Sequence, residues 1–584
     1  MSHDKYFNIE EKVVMTPKCK TTNSTTLVVE RKVVEPEASD KIHIAGGDHT
    51  GIIINKEENY ENGVSEPCHA QLEFYVYLVS GATGTHTREA RALRFWFKPQ
   101  LPPNERPYQA QAFFRELVSP QDFPKDYVGY IKKIMKLMQH KYDQLKLLEI
   151  ELRQEGGGSP LPESNGVISS KRIVYKYSNG SYIEDSVANQ TPVISEQRVL
   201  DMIENAYPNP LTVDDFVTAG MWSKAEVKDA LESLEEKGLT RAMSEGLYVR
   251  QHSVDTQVVK QMPQLHSSRQ PSIAVVTALY CEKQAVDAMM DNQETYVRYT
   301  TVGESNVYTL GTIGNHRVVT TKLPSVGRTR EAMTAAGNTT TRLLGIFQKV
   351  EYVFLVGVGG GVPHYTDYEK HVRLGDVVVS TPAQDLPDRY VYIFCEKAEK
   401  NPKGGWDFEV KPYKPADFLL QDIAIRLSKS QTVWDSYVNE GLDRLRGVPG
   451  RWEAPEGKTD RLCVEIGDGA FIEVSHPAPQ GDQVDHRGRG LRVHLAPVAG
   501  GRGVCAGGEA RGSFAAHARA LAFDCELDAV LDSVIGNRKD CFISIRGIAD
   551  YRDGTRGKQW QPHAALAAAA VMKGIIAAMD PPAD

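Results

Sequence analysis

Residues 352–362 read Tyr-Val-Phe-Leu-Val-Gly-Val-Gly-Gly-Gly-Val. Five apolar residues without a polar break, running straight into glycines, describe a strand buried on both faces that opens into a glycine turn. Leu374–Ser380 (Leu-Gly-Asp-Val-Val-Val-Ser) reads as another strand, and Ser272–Tyr280 (SIAVVTALY) as a buried one. Val307–Pro324 reads as a pair of strands about a Gly-Asn turn, and Glu282–Met290 and Thr329–Phe347 read as helices. Strand, glycine turn and helix alternate from Gln270 to the end, which predicts an α/β unit with a mixed sheet sandwiched by helices. Ligands of such sheets sit at the carboxyl ends of the strands, so residues that directly follow a strand are the candidates for chemistry.

The whole chain has 584 residues. At roughly 100–200 residues per domain it holds about three to five units. Hydrophobic residues make up 41% and charged residues 25%, which are globular proportions and exclude wholesale disorder. The net charge of −8 argues against bulk nucleic acid as the default partner. Eight cysteines are scattered without any C-x-x-C spacing, so no zinc ribbon or thioredoxin-type pair can be written, and no metal or cofactor is expected. The start, MSHDKYFNIEEKVV, lacks a secretory pattern, and runs such as Phe74–Val79 fall far short of the ~20 residues that cross a bilayer. The expectation is a soluble, cytoplasmic, multidomain protein without a membrane partner.

Residues 1–120 are strand-like in texture (TTLVVERKVV, QLEFYVYLVSG, ALRFWF), and their role is open. Residues 121–155 are expected to form an amphipathic helix: Ile131, Ile134, Met138, Leu145, Leu148 and Leu152 recur at spacings of three, four and seven. Such a stripe packs against its own domain or self-associates, and a homo-oligomer is one expectation. Residues 156–190 read as a polar linker. Residues 191–252 resemble a winged helix-turn-helix: Ser195 and Ser223 cap helices, and Leu239–Arg250 reads as two short strands. The third helix carries Lys224, Lys228 and Lys237 against five acidic residues, so a protein partner is favoured over DNA.

Four ordered segments between Ser272 and Met579 resemble the nucleoside phosphorylase superfamily, and most closely the 5′-methylthioadenosine/S-adenosylhomocysteine nucleosidases. They are Ala278–Glu282 (ALYCE), Gly357–Gly361 followed by Leu374–Ser380, Phe523–Ala529 (FDCELDA) and Ile545–Asp550 (IRGIAD). The resemblance implies that Asp550 is the acid that protonates the leaving purine and that Glu282 activates the attacking water. It implies that Glu526 holds the ribose hydroxyls, with Cys525, Gly357, Val358 and Gly359 around the sugar. A carboxylate can accept from two vicinal hydroxyls at once, and an acid that keeps its proton at neutral pH needs burial or like charge to raise its pKa. The chain departs from the family at Val358, where a small hydroxyl residue is usual, and at Val498–Arg502, where Ser-Gly-Asp is usual. About Arg444–Arg519, rich in Gly, Ala, Arg and Pro, long loops are expected.

The phosphorylases compared carry a phosphate loop with an Arg after the first strand, and Cys281–Val286 lacks one, which favours water as nucleophile. Arg328, Arg546 and Arg552 surround the motifs and suit a 5′-phosphorylated substrate, because guanidinium forks pair with phosphate oxygens. Joined interaction and nucleosidase modules also resemble the ATP nucleosidases of antiviral defence. The expected activity is purine nucleoside or nucleotide N-glycosidase, with adenine favoured. A phosphate-dependent phosphorylase and a nucleoside sensor coupled to the winged helix remain alternatives.

Overall fold

The computed structural model describes residues 11–33, 42–44, 52–55, 66–79, 86–124, 126–155, 172–176, 182–186, 194–243, 246–251, 256–300, 305–324, 330–402, 405–428, 431–467, 470–480, 483, 485, 490–501, 504, 508–524 and 527–582. The chain divides into two compact units.

One unit comprises Met1–Val167, Pro363–His371 and Arg461–Asp485. Its described strands form one sheet in the order Leu462–Gly467, Ala470–Val474, Ala70–Val79, His86–Phe97, Leu145–Glu155, Ser24–Val33, Glu11–Lys20, Ile53–Asn55 and Ile42–Ile44. Two helices, Arg106–Leu117 and Tyr127–His140, bury Phe113, Phe114, Ile134 and Met138, and Phe74, Phe95, Leu148 and Ile150 of the sheet are buried too.

The helix expected over 121–155 stops at His140, and Leu145–Glu155 is a strand. Leu145, Leu148 and Leu152 satisfy a heptad-like stripe, but LKLLEIEL alternates equally well at period two. The tertiary context decides: Leu148 lies opposite both Val29 and Phe95, and Ile150 opposite both Leu27 and Leu93. A strand placed between two others gains both ladders, which a helix there would forfeit. Arg31 fixes the turn, its guanidinium donating to the carbonyls of Met138, Tyr142 and Leu145. The unit expected over 270–584 is also not contiguous, because Pro363–His371 and Arg461–Asp485 belong to this first unit. Leu462–Gly467 and Ala470–Val474 make a hairpin that pairs Val474 with Phe74, covering an otherwise open strand edge. The expected linker 156–190 contains a hairpin as well, Arg172–Lys176 with Tyr182–Ser186.

The second unit holds Ile168–Val362, Val372–Asp460 and His486–Asp584. Its winged helix has the helices Glu196–Ala206, Val213–Gly220 and Lys224–Glu236 and a small sheet of Leu211–Thr212, Leu247–Arg250 and Thr240–Ala242. Ser195 accepts the Arg198 N–H and Ser223 the Glu226 N–H, as the sequence predicts, and the Glu226 carboxylate accepts the Ser223 N–H in return. Val199, Ile203, Phe216, Val227 and Leu231 close a separate core.

The larger sheet centres on the glycine strand Tyr352–Gly361. It is flanked in parallel by the first strand, Ile273–Thr277, and by the late strand, Cys541–Asp550. Helix Gln561–Ala577 is buried from Ala564 to Ile576 beneath this sheet. The architecture is mixed α/β, as expected.

The strand assignment of 145–155 yields a stability prediction. Ile150→Ala removes a fully buried side chain from an interior strand and should cost about 2–5 kcal/mol. Chemical denaturation of the full chain followed by a probe in this unit measures it, and an unshifted midpoint would contradict the placement.

Candidate active site

The turn after the first strand delivers Glu282 into the sheet. Helix Tyr280–Ala288 begins two residues beyond Ala278, and Glu282 sits in its first turn, 1% exposed. One carboxylate oxygen accepts the N–H of Val358 at 2.7 Å. The other accepts the N–H groups of Ala278 at 2.7 Å and Leu279 at 2.8 Å. Burial pushes the Glu282 carboxyl up from its ordinary range, while Arg546 and the three amides pull it down without cancelling the rise.

The glycines 357–361 prove to be strand, not turn, and all are buried. None has a positive φ; the requirement is space. A Cβ on Gly357 would lie 2.4 Å from a Glu282 oxygen, and one on Gly360 would lie 2.1 Å from the Arg552 carbonyl carbon. Glycine lets the carboxylate and the later loop press against the strand. Val358 supplies its N–H to Glu282 and buries its side chain in the core.

Asp550 ends the late strand, where it pairs with Gly360 after a shift of register that skips Ala549. Its Oδ1 accepts the N–H groups of Arg552, Asp553 and Gly554, and its Oδ2 those of Arg556 and Gly557. Burial and then the Asp553 charge raise its pKa, and the amides of Gly554, Arg556 and Arg552 oppose them; the balance is upward. Asp550 thus organises the loop 551–557, a role the sequence does not announce.

Arg546 lies on the same strand but not in solvent. It is 1% exposed, its Nε donates to Ser544 Oγ at 3.1 Å, and its Nη2 stands 4.0 Å from Asp524 Oδ2. Tyr392 donates its hydroxyl to Asp524 Oδ1 at 3.0 Å. Asp524 joins the site without a signal of its own in the sequence beyond standing two residues before Glu526 in the segment Phe523–Ala529. Phe523 pairs antiparallel with Gly360, so the chain leading to 525 and 526 runs beside the glycine strand. Cys525, Glu526, Arg328 and Arg502 lie outside the described residues. The half-buried Arg552 follows Asp550 in the loop. Among the described residues no cluster of three metal-ligating side chains occurs, and no helix is long and apolar enough to cross a membrane.

Residues 184–252 match the family model described as a winged helix-turn-helix domain. Over 318 residues the chain is 27% identical to a nucleotide-binding leucine-rich repeat (NLR)-like protein of Hyaloscypha variabilis, covering 53% of this chain and 30% of that protein. The chain therefore spans less than a third of that relative's length. Solved structures similar to about half of the chain include the 5′-methylthioadenosine/S-adenosylhomocysteine nucleosidase of Neisseria meningitidis, at 15% identity and a TM-score of 0.32, covering 53% of this chain and 99% of that one. The corresponding enzyme of S. pneumoniae matches at 17% identity and a TM-score of 0.33 with the same coverage. The futalosine hydrolase of Helicobacter pylori strain 26695 matches at 13% and 0.31, again over 53% and 99%.

The Glu282 clamp is testable through its glycine. Gly357→Ala should destabilise the second unit by about 2 kcal/mol or more, since it separates a buried carboxylate from its amide donors. Gly345→Ala, in a helix with nothing within 4 Å of the added Cβ, should be neutral or slightly stabilising. Equal melting behaviour of the two variants would contradict the clamp.

Proposed function

We propose that the chain is a purine nucleoside or nucleotide N-glycosidase that releases the base to water, with adenine the favoured base. One observation carries the reading: the segments that resemble the nucleosidases converge at one end of one sheet. Glu282 is bonded to Val358, Gly357–Gly360 run beside Arg546–Asp550, and Phe523 lies against Gly360.

The chemistry follows from the two carboxyl groups. Cleavage breaks the bond between ribose C1′ and purine N9 and forms a bond from C1′ to water oxygen. Positive charge builds on the sugar and negative charge on the base. Asp550, with its pKa raised, donates a proton to the base, and ionised Glu282 takes one from the water. Glu282 has one lone-pair site left after its three amide bonds, enough for one water. Glu526 and Cys525 are proposed for the ribose, with backbone from Gly357 to Gly359 close enough to the sugar for van der Waals contact. Arg552 and Arg328 are the proposed cations for a 5′-phosphate, which makes ATP a candidate substrate in a defence or signalling setting. Arg546 is better assigned to Asp524 and Ser544 than to substrate, given its burial.

A second reading has its own observation. Five amides already occupy the Asp550 oxygens, and the donors on one of the two oxygens must yield before the group can carry a proton to a base. That arrangement suits a domain that binds a nucleoside without turning it over.

Incubation with adenosine, inosine, methylthioadenosine, AMP and ATP, with and without phosphate, and chromatography of the free base separates the readings. Phosphate-independent base release is expected, and its rate should fall as pH rises through the raised pKa of Asp550, because the acid must keep its proton. Asp550→Asn should lower kcat by ~10²–10⁴-fold. Base release that depends on phosphate, or an unimpaired Asp550→Asn variant, would overturn the assignment. Tight binding without release would establish the sensor.

A further inference from the structure

The winged helix has its own closed core, yet it is tied to the nucleosidase-like sheet by buried polar contacts. Lys322 is the last residue of strand His316–Lys322, in register with Thr277 of the first strand. It is 1% exposed. Its ammonium donates to the carbonyls of Asn205, Tyr207 and Leu323, each at 2.9 Å. The first two carbonyls close the C-terminus of the winged helix's first helix, where the backbone lacks intrahelical donors and the dipole is negative.

Around this lysine the contact spreads to both sides of the candidate site. The Tyr207 ring meets the Tyr280 ring edge-on at 5.3 Å, and the Arg250 guanidinium lies over Tyr280 at 5.2 Å. Arg250 is held by Glu204 at 2.9 Å. Tyr280 opens the helix that carries Glu282. On the other side, Lys558 of the segment after Asp550 pairs with Asp201 at 2.7 Å. The Asn209 side chain accepts the Ser305 N–H at 3.1 Å. Tyr207 also packs with Val297 and Val307. The helix Lys224–Glu236 takes no part in these contacts and leaves Lys224, Lys228, Asp229 and Glu232 exposed.

We propose that the winged helix docks on the chain's own nucleosidase-like domain, and that Lys322 is the positioning residue through which this docking holds the segments bearing Glu282 and Asp550. A surface salt bridge contributes little. A buried ammonium whose donors are all used by carbonyls is different, since losing it strands those carbonyls. Burial lowers the Lys322 ammonium to about 7 against the pull of Glu282, Cys281 and Glu204, which places it in the same electrostatic neighbourhood as Glu282. What the two carboxylates do chemically rests on the nucleosidase reading; the docking does not.

Amide hydrogen exchange of the full chain tests the proposal without needing turnover. Lys322→Met should raise exchange by about tenfold or more in 203–209 and 278–284 together, and more weakly in 551–558, while 224–236 keeps its protection. Lys322→Arg should restore part of it. If Lys322→Met unfolds the unit, Tyr207→Ala with Asp201→Asn provides the same comparison from the winged-helix side. Loosening of 203–209 with 278–284 unchanged, in either variant set, would overturn the proposal, as would no change in both. If base release is detected, Lys322→Met should lower kcat more than it raises KM. Failure of base release in the parent chain leaves the exchange result standing, so the two claims fail separately.

Discussion

A single carboxylate, Glu282, ties the site together. It reaches from the turn after the first strand to the N–H of Val358 on the neighbouring strand, and its other oxygen closes its own turn. In a dry interior such charge-assisted bonds are strong, and an unsatisfied buried amide is costly. The constraint propagates outward. It demands glycine at 357, where any Cβ would collide with the carboxylate. It keeps Arg546 near as a compensating charge, and Arg546 in turn faces Asp524. The same strand then needs glycine at 360 so that the loop organised by Asp550 can lie against it.

The two carboxyl groups are therefore part of the scaffold as well as candidates for chemistry. Glu282 is held by three amides and Asp550 by five, so neither is a loose side chain in a cleft. Burial raises both pKa values, which suits an acid and a base that act on one bond. The winged helix adds a further contact, since its partners include Tyr280, two residues before Glu282, and Lys558, in the segment that follows Asp550. A domain whose fold often meets DNA here meets its own chain through the end of its first helix, and the polar face of its third helix stays exposed.

The sheet and the winged helix were legible because their signals are local. An unbroken Val-Phe-Leu-Val run ending in glycines can be read without knowing its neighbours, and so can the helix caps Ser195 and Ser223. Strand 145–155 was not legible, since its leucines fit two periods and only the pairing with Val29 and Phe95 decides between them. The hairpin at 462–474 was hidden because its partner, Phe74, lies about four hundred residues away in sequence. In the site, positions came through and partners did not. Glu282 and Asp550 follow strands as expected, but the amides that hold them belong to folded loops. Arg546 looked like a free cation, and only the fold reveals Asp524 and Ser544 beside it. Lys322 carries no motif; its importance comes from carbonyls contributed by residues more than a hundred positions earlier.

The central claim is that this carboxyl end is where a purine nucleoside sits. An experimental structure of the full chain with a non-hydrolysable adenosine analogue tests it most directly. The account predicts the ribose against Gly357–Gly359 near Glu282 and the base edge facing Asp550. An analogue bound instead in the 490 Å³ pocket lined by Arg298, Tyr308, Arg342 and Phe347, with the carboxyl end empty, would contradict it.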